Sequence, residues 1–296
     1  MDSNRFSRTA QAMAFFRAQE SARSNSVRLV CDGFAASVLP DFFRALVSLS
    51  RVPVLRRVIT AAIDRRWPGA RTSGIARTRL IDDWLAEAIR DGASQIVILG
   101  AGFDSRAWRL PALANVPVFE VDQAATSLEK RRRLVEAGLD PSRITQVPLD
   151  FDRDPLERTL AEAGFNRRHR TAVVWEGVTN YLTADAVDAV LRWAGALGDG
   201  SILAFTYVHA GVLTNPRSFE GAERILASVA EAGEAWTYGI DPATLARRLD
   251  GLGLTLIEDL GADEYRSRYW RRASGSWRGY SFYRAALVAV RGHAAA

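Results

Sequence analysis

Ile96-Val97-Ile98-Leu99-Gly100-Ala101-Gly102 runs as four apolar residues and then breaks into a glycine turn. Such a run, largely β-branched, suits a strand buried on both faces, as parallel sheets require. Glycines at its end let the backbone approach a bound group closely. Twenty residues beyond Gly102 stands Asp122, which closes Val118-Phe119-Glu120-Val121-Asp122. An acidic side chain at the end of a second strand is placed to receive ribose hydroxyls. The two features together point to a cofactor that contains adenosine.

The position after the turn narrows the cofactor. A dinucleotide fingerprint would want glycine at 105, but the chain has Ser105 preceded by Asp104. A pyrophosphate is poorly served by Asp104, whereas a sulfonium cation without phosphate suits acidic surroundings. The residues therefore favour an S-adenosylmethionine-dependent methyltransferase over a nicotinamide dehydrogenase.

Outward from this core the pattern alternates. Apolar runs predict strands over 95–99, 116–121, 144–148, 172–175, 201–208, 254–258 and 284–290, the last two antiparallel at one edge. Helical stretches fill the gaps over 124–137, 155–163 and 184–197, with Thr183 as an N-cap and Gly198 and Gly200 as terminators. Asp241-Pro242 opens a further helix that runs to 249. Ahead of the first strand, 8–20, 34–48, 55–65 and 78–90 read as helices. The expectation is an α/β fold of the Rossmann-like type, a seven-stranded mostly parallel sheet with a helical N-terminal cap. It forms one domain over 1–296, with cap and lead-in over 1–94, core over 95–296 and a cap insertion at about 209–240.

Composition bounds the function. The 296 residues are 48% hydrophobic and 25% charged, as in an ordinary globular protein. A lone cysteine, Cys31, excludes an intramolecular disulfide framework and a thiolate zinc site, so no metal is expected. The basic first thirty residues lack an apolar core, which predicts no secretory leader and a cytoplasmic protein. No apolar run approaches the roughly 20 residues of a membrane span. The stretch 42–63 is apolar with interspersed arginines and could lie on a membrane surface or form a cap; Pro53 interrupts its pattern and favours the cap.

Charge is uneven: residues 1–79 carry +9, residues 263–296 carry +5 and the middle carries −9. The basic ends either line a site for an anionic substrate or are simply solvated. Nearly all the bases are arginine, Lys130 being the sole lysine. No nucleic-acid motif accompanies them, so neither nucleic acid nor membrane is expected as a partner. The oligomeric state, monomer or homodimer, is left open.

At this point the residues resemble a family, the leucine carboxyl methyltransferases, in its bacterial branch of small-molecule O-methyltransferases. The likeness runs through Glu20-Ser21-Ala22-Arg23, Asp32-Gly33-Phe34-Ala35 and Ala76-Arg77-Thr78-Arg79-Leu80-Ile81-Asp82-Asp83. It peaks at Leu99-Gly100-Ala101-Gly102-Phe103-Asp104-Ser105-Arg106-Ala107-Trp108-Arg109-Leu110 and continues in Phe119-Glu120-Val121-Asp122-Gln123, Trp175-Glu176-Gly177 and Tyr181-Leu182. Gly33 and Ser105 stand where the family usually has proline and often has threonine.

The resemblance implies that Arg77 pairs with the methionine carboxylate of the cofactor. It places Gly100, Ala101 and Gly102 at the floor, Asp122 with Gln123 at the ribose, Asp150 and Phe151 around the adenine, and Glu176 by the methionine amino group. These roles suit the chemistry, since an arginine fork matches a carboxylate and a carboxylate matches an ammonium. An ion pair between Arg77 and Glu176 is the plainer reading of the same residues. Arg106 and Arg109, just after the glycine turn, read as loop-holding ion pairs.

Tyr181, Tyr207 and Arg23 are the expected substrate contacts, and His209 is the candidate base. A carboxylate acceptor, ionised at neutral pH, needs no base, whereas a phenol or alcohol does. With only His169, His209 and His293 in the chain, a small organic acid or natural product of secondary metabolism is the expected substrate. A hydroxyl O-methyltransferase and a non-catalytic cofactor-binding protein are the alternatives.

Overall fold

Each of the seven apolar runs becomes a strand in the computed structural model, which describes residues 8–270 and 278–292. They are β1 (Gln95–Leu99), β2 (Val118–Asp122), β3 (Thr145–Pro148), β4 (Thr171–Trp175), β5 (Ile202–Val208), β6 (Leu254–Leu260) and β7 (Tyr283–Val290). The sheet order is β3-β2-β1-β4-β5-β7-β6. Only β7 runs antiparallel, to β5 on one side and β6 on the other. The order reverses between β1 and β4, and ligands of open α/β sheets bind outside the carboxyl ends of strands at such a point.

Four helices precede the sheet: α1 (Arg8–Ser21), α2 (Asp41–Leu49), α3 (Pro53–Arg66) and α4 (Ala70–Arg90). After β1 come α5 (Arg106–Arg109), α6 (Ala124–Glu136), α7 (Leu156–Glu162), α8 (Ala184–Gly195), α9 (Gly211–Thr214), α10 (Ala222–Glu231), α11 (Pro242–Asp250) and α12 (Ala262–Tyr269). The start of α8 is fixed as its sequence suggests, with Thr183 Oγ1 accepting the Ala186 N–H at 3.2 Å. At α11 the Asp241 carboxylate accepts the Ala243 N–H at 3.0 Å, with Pro242 in the first turn.

Strand alternation divides the core between the two sheet faces. Leu99, Val121, Trp175 and Phe205 pack with Val187 and Leu191 of α8 and Leu245 and Leu249 of α11. On the other face Ile96, Ile98, Val174 and Ala204 meet Leu80, Ile81, Trp84 and Leu85 of α4. Burial of each large apolar side chain contributes on the order of 1.5–3 kcal/mol. Helix α4 is therefore a layer of the core, whereas the sequence reading assigned it to the cap and lead-in. It also begins eight residues before its expected start at 78. Within it Gly74 allows α1 to come close, since a Cβ there would stand 2.8 Å from Met13 Cε.

The cap proper is α1 to α3, whose core of Phe15, Phe16, Val30, Leu39 and Val47 is shared with Ile75 of α4. Helix α2 starts at Asp41, not at 34, because Pro40 keeps the preceding residue out of the helical region. The insertion after β5 leaves and returns at one place. His209 forms a bridge with Ile240, the Ala210 N–H reaches the Ile240 carbonyl at 3.0 Å and the Ile240 N–H reaches that of Val208 at 2.9 Å. Residues 209–240, with α9 and α10, are thus an excursion closed at its base. No helix among the described residues is long and apolar enough to cross a membrane.

Candidate active site

The turn after β1 is held in place from several directions. Gly100 has φ +65°, and a Cβ there would lie 2.2 Å from Val178 Cγ2, so the chain accepts only glycine without rearrangement. Asp122, at the end of β2, takes the Gly102 N–H at 2.5 Å and the Gln123 N–H at 2.7 Å. Burial raises its pKa above the ordinary carboxylate range, and these two amide donors partly offset that effect. Its two oxygens retain lone pairs for hydroxyl donors.

Behind the turn lies a buried charge cluster. Arg106 donates to Asp82 Oδ1 and Glu176 Oε2, each at 2.8 Å, and also pairs with Asp104. Arg109 adds a second hold on Asp82, with Nη2 donating to Oδ1 at 2.8 Å. Both arginines hold the loop, as the sequence reading had it. Burial works to raise the Asp104 pKa, yet Arg106, with help from Lys130 and Arg109, holds it at about 2. Glu176 stays below the usual carboxylate range for the same reason: burial is outweighed by Arg106 and Arg77.

Arg77 Nε donates to Glu176 Oε1 at 2.9 Å, and its guanidinium lies over the Tyr283 ring at 4.4 Å from the centroid. Arg77 and Glu176 thus bind each other, the plainer of the two readings of these residues. The pair still faces the cavity. With both oxygens of Glu176 taken by arginines, its evident task is to orient Arg77, whose remaining N–H groups can meet a ligand carboxylate.

These groups line one end of a cavity of about 1030 Å³. The glycine turn, Asp122 with Gln123, Asp150 with Phe151, Glu176 and Arg77 all contribute, so the cofactor set inferred from sequence is brought together at the carboxyl ends of β1 to β4. The other end is largely apolar: Phe43, Leu46, Ile59 and Ile63 of α2 and α3 and Ile225 and Val229 of α10 line it, with Arg66 and Glu231 of the same helices among them. Trp67, just after α3, also lines the cavity and donates its Nε1–H to Ser228 Oγ on α10 at 2.9 Å. Pockets for drug-sized ligands span about 300–1,000 Å³, so this cavity lies at the upper end of that range.

Among the expected substrate residues, Tyr181 lines the cavity, and burial pushes its pKa up to about 12. The other three do not line it. Tyr207 shares the buried strand face of Leu203 and Phe205, is 0% exposed and donates its hydroxyl to Asp259 Oδ2 at 2.8 Å. His209 Nδ1 accepts the Gly211 N–H at 2.9 Å with its ring against Phe219, so it shapes the start of the insertion. Arg23 Nη1 donates to both Glu20 oxygens, at 3.1 and 3.0 Å. For these three the structure replaces a substrate role with a structural one.

Asp32, singled out only as part of a motif, joins the cap to the site. It accepts from Arg17 Nε at 2.9 Å, Ser105 Oγ at 2.5 Å and the Ala35 N–H at 2.9 Å, while Arg17 Nη2 reaches the Phe103 carbonyl at 2.6 Å. The cavity residues missed in sequence, among them Phe16, Trp67, Trp236 and Tyr280, come from the cap, the insertion and the approach to β7. Large aromatics in those segments were the available signal. Among the described residues no group of three or more His, Cys, Asp or Glu side chains could hold a metal.

Comparison with known proteins agrees with this geometry. The family model for leucine carboxyl methyltransferase matches residues 10–195. A Frankia alni protein, named by inference an S-adenosyl-L-methionine-dependent methyltransferase, is 36% identical over 199 residues, covering 65% of each chain. A Mycobacteroides abscessus protein of the same designation is 37% identical over 160 residues, or 51% of each chain. The chain therefore matches between half and two thirds of the length of these relatives. A methyltransferase, so named by inference, from Thermobifida fusca superposes with a TM-score of 0.58 at 19% identity, covering 88% of this chain and 93% of its own. A DUF574 family protein from Streptomyces avermitilis gives 0.60 at 14% identity, covering 97% and 98%. At these identities the structural likeness concerns the fold alone.

Proposed function

Because this chain belongs to the leucine carboxyl methyltransferase family, whose members are S-adenosylmethionine-dependent methyltransferases, we propose that it forms a methyl ester on the carboxylate of a small organic acid. The observation that carries the reading is one cavity lined both by the glycine turn, Asp122 and Arg77 and by apolar side chains of the cap and the insertion.

When bound, S-adenosylmethionine supplies an electrophilic methyl group on a sulfonium. The residues present fit it. Asp122 offers carboxylate lone pairs to ribose hydroxyls, and the Gly100 turn leaves no side chain between backbone and ligand. Arg77, aimed by Glu176, matches the amino-acid carboxylate, and Phe151, next to Asp150, offers a ring for the adenine. The chain's remaining task is to bring an acceptor oxygen into line and strip its water, which the apolar walls favour. A carboxylate acceptor is ionised already at neutral pH. No histidine is among the described residues that line the cavity, which supports a carboxylate over a hydroxyl acceptor.

The test is incubation with methyl-labelled S-adenosylmethionine and a panel of aromatic and aliphatic acids. Label in a product that mild alkali releases supports the ester. Label that resists alkali, as in an ether or an N-methyl or C-methyl product, overturns it. Cofactor binding without turnover on any acid would favour the non-catalytic alternative.

A further inference from the structure

The segment that forms the apolar end of the cavity has a second face. Phe42 is 68% exposed, Val54 65% and Val58 62%, and Leu49, Val52 and Leu55 stand out beside them. Outside 42–58, only Val27, Leu128, Val135 and Ile257 are comparably exposed large hydrophobics among the described residues, and they are scattered along the chain. Isolated exposed apolar side chains need no explanation, but a concentration on one helical hairpin does.

The charges of the same hairpin are one-sided. Arg44, Arg51, Arg56, Arg57, Arg65 and Arg66 stand against Asp41 and Asp64. Both aspartates are already engaged, Asp41 by Arg44 and Asp64 by Arg71 at 2.8 Å. Arg51 and Arg57 are exposed and lie next to the apolar group in sequence. Apolar side chains with flanking arginines and no free acid complement an anionic lipid surface, where the former enter the acyl boundary and the latter meet headgroups. Val58 is exposed and also lines the cavity, so the hairpin's outer face is continuous with the opening of the apolar compartment.

We propose that α2 and α3 dock this chain on an anionic bilayer, and that the acceptor is an acid with a large apolar body that passes from that surface into the compartment behind the hairpin. Cap and membrane-surface segment, alternatives in the sequence, are then two faces of one element. The docking stands on the exposed face alone; the acceptor class rests also on the methyl-transfer reading.

The experiment is co-sedimentation of the full chain with vesicles of phosphatidylcholine alone and of phosphatidylcholine with phosphatidylglycerol. A paired variant, Phe42→Ser with Val54→Ser, and a charge variant, Arg51→Gln with Arg57→Gln, are run beside it, with circular dichroism to confirm folding. The proposal expects binding only to the anionic vesicles, weakened by salt, and reduced about tenfold or more by either variant. Absence of binding to either vesicle overturns it, as does binding that both folded variants leave unchanged. A dimer in solution that the serine variant dissociates, without vesicle binding, would assign the face to a second copy and also overturn it. For the acceptor, added anionic vesicles are expected to raise turnover of long-chain acids but not of short ones. Equal turnover overturns the access route while leaving ester formation standing, so the two readings fail separately.

Discussion

At the strand rim the cavity wall is backbone and buried charge, fixed from several sides by Asp122, Glu176 and Arg106. At the cap it is the inner side of α2 and α3, whose outer side faces solvent. The rim consists of short-range features around strand ends and tolerates little change. The cap is assembled from distant segments and meets the rim through a few polar ties, chiefly Arg17 to the Phe103 carbonyl and Ser105 to Asp32. The contrast is between a rim fixed on several sides and a cap tied to it at few points.

The largest expected difference comes from removing the cation of the buried cluster. Arg106→Ala leaves Asp82, Asp104 and Glu176 without their shared partner and should cost about 3–5 kcal/mol in denaturant unfolding. Arg57→Ala on the exposed cap should stay within about 0.5 kcal/mol. Comparable losses at both positions would break the contrast. Next in size is Gly100→Ala, which places a Cβ against Val178 at a positive φ and should cost about 2–4 kcal/mol. Adding Val178→Ala should recover the steric part but not the backbone part, as thermal unfolding of the double variant would show.

Buried charge near the rim should also make stability depend on pH. Burial raises the Glu120 carboxyl from its ordinary 4.5 to about 7, against the opposing pull of Lys130. A folded-state pKa above the unfolded one means that this group's contribution is full below about pH 4.5 and is lost as pH rises towards about 7. Stability should therefore fall across that window by about 1–3 kcal/mol, and Glu120→Gln should flatten the slope in urea titrations at stepped pH. An unchanged slope would exclude Glu120 as its source. The smallest expected effect is kinetic: Trp236→Ala, on the part of the cavity wall that the insertion contributes, should raise acceptor KM about tenfold while S-adenosylmethionine affinity holds.

The rim was legible in the sequence because its signals are local. A buried strand, a glycine turn and an acid at the next strand end are separated by fixed short spacings, and the strands beyond them follow from the same β-branched runs. Tyr207 and His209 misled because nearness to a strand end in sequence does not give side-chain direction. Alternation puts Tyr207 with Leu203 and Phe205 inside the core, and the closing of the insertion at Ile240 turns His209 towards its own loop. Helix α4 was assigned to the cap because its apolar face does not announce which partner buries it. The aromatics of the acceptor end come from segments separated by some two hundred residues, so only the folded chain reveals that they share a wall.

The rim is expected to bind an adenosyl cofactor without phosphates. Isothermal calorimetry of the purified chain with S-adenosylmethionine, S-adenosylhomocysteine and NADH, alongside Asp122→Ala, tests it most directly. The expected result is binding of the first two in the micromolar range, lost or strongly weakened in Asp122→Ala, with no heat from NADH. Binding of NADH alone, or binding of S-adenosylmethionine that Asp122→Ala leaves intact, would contradict it.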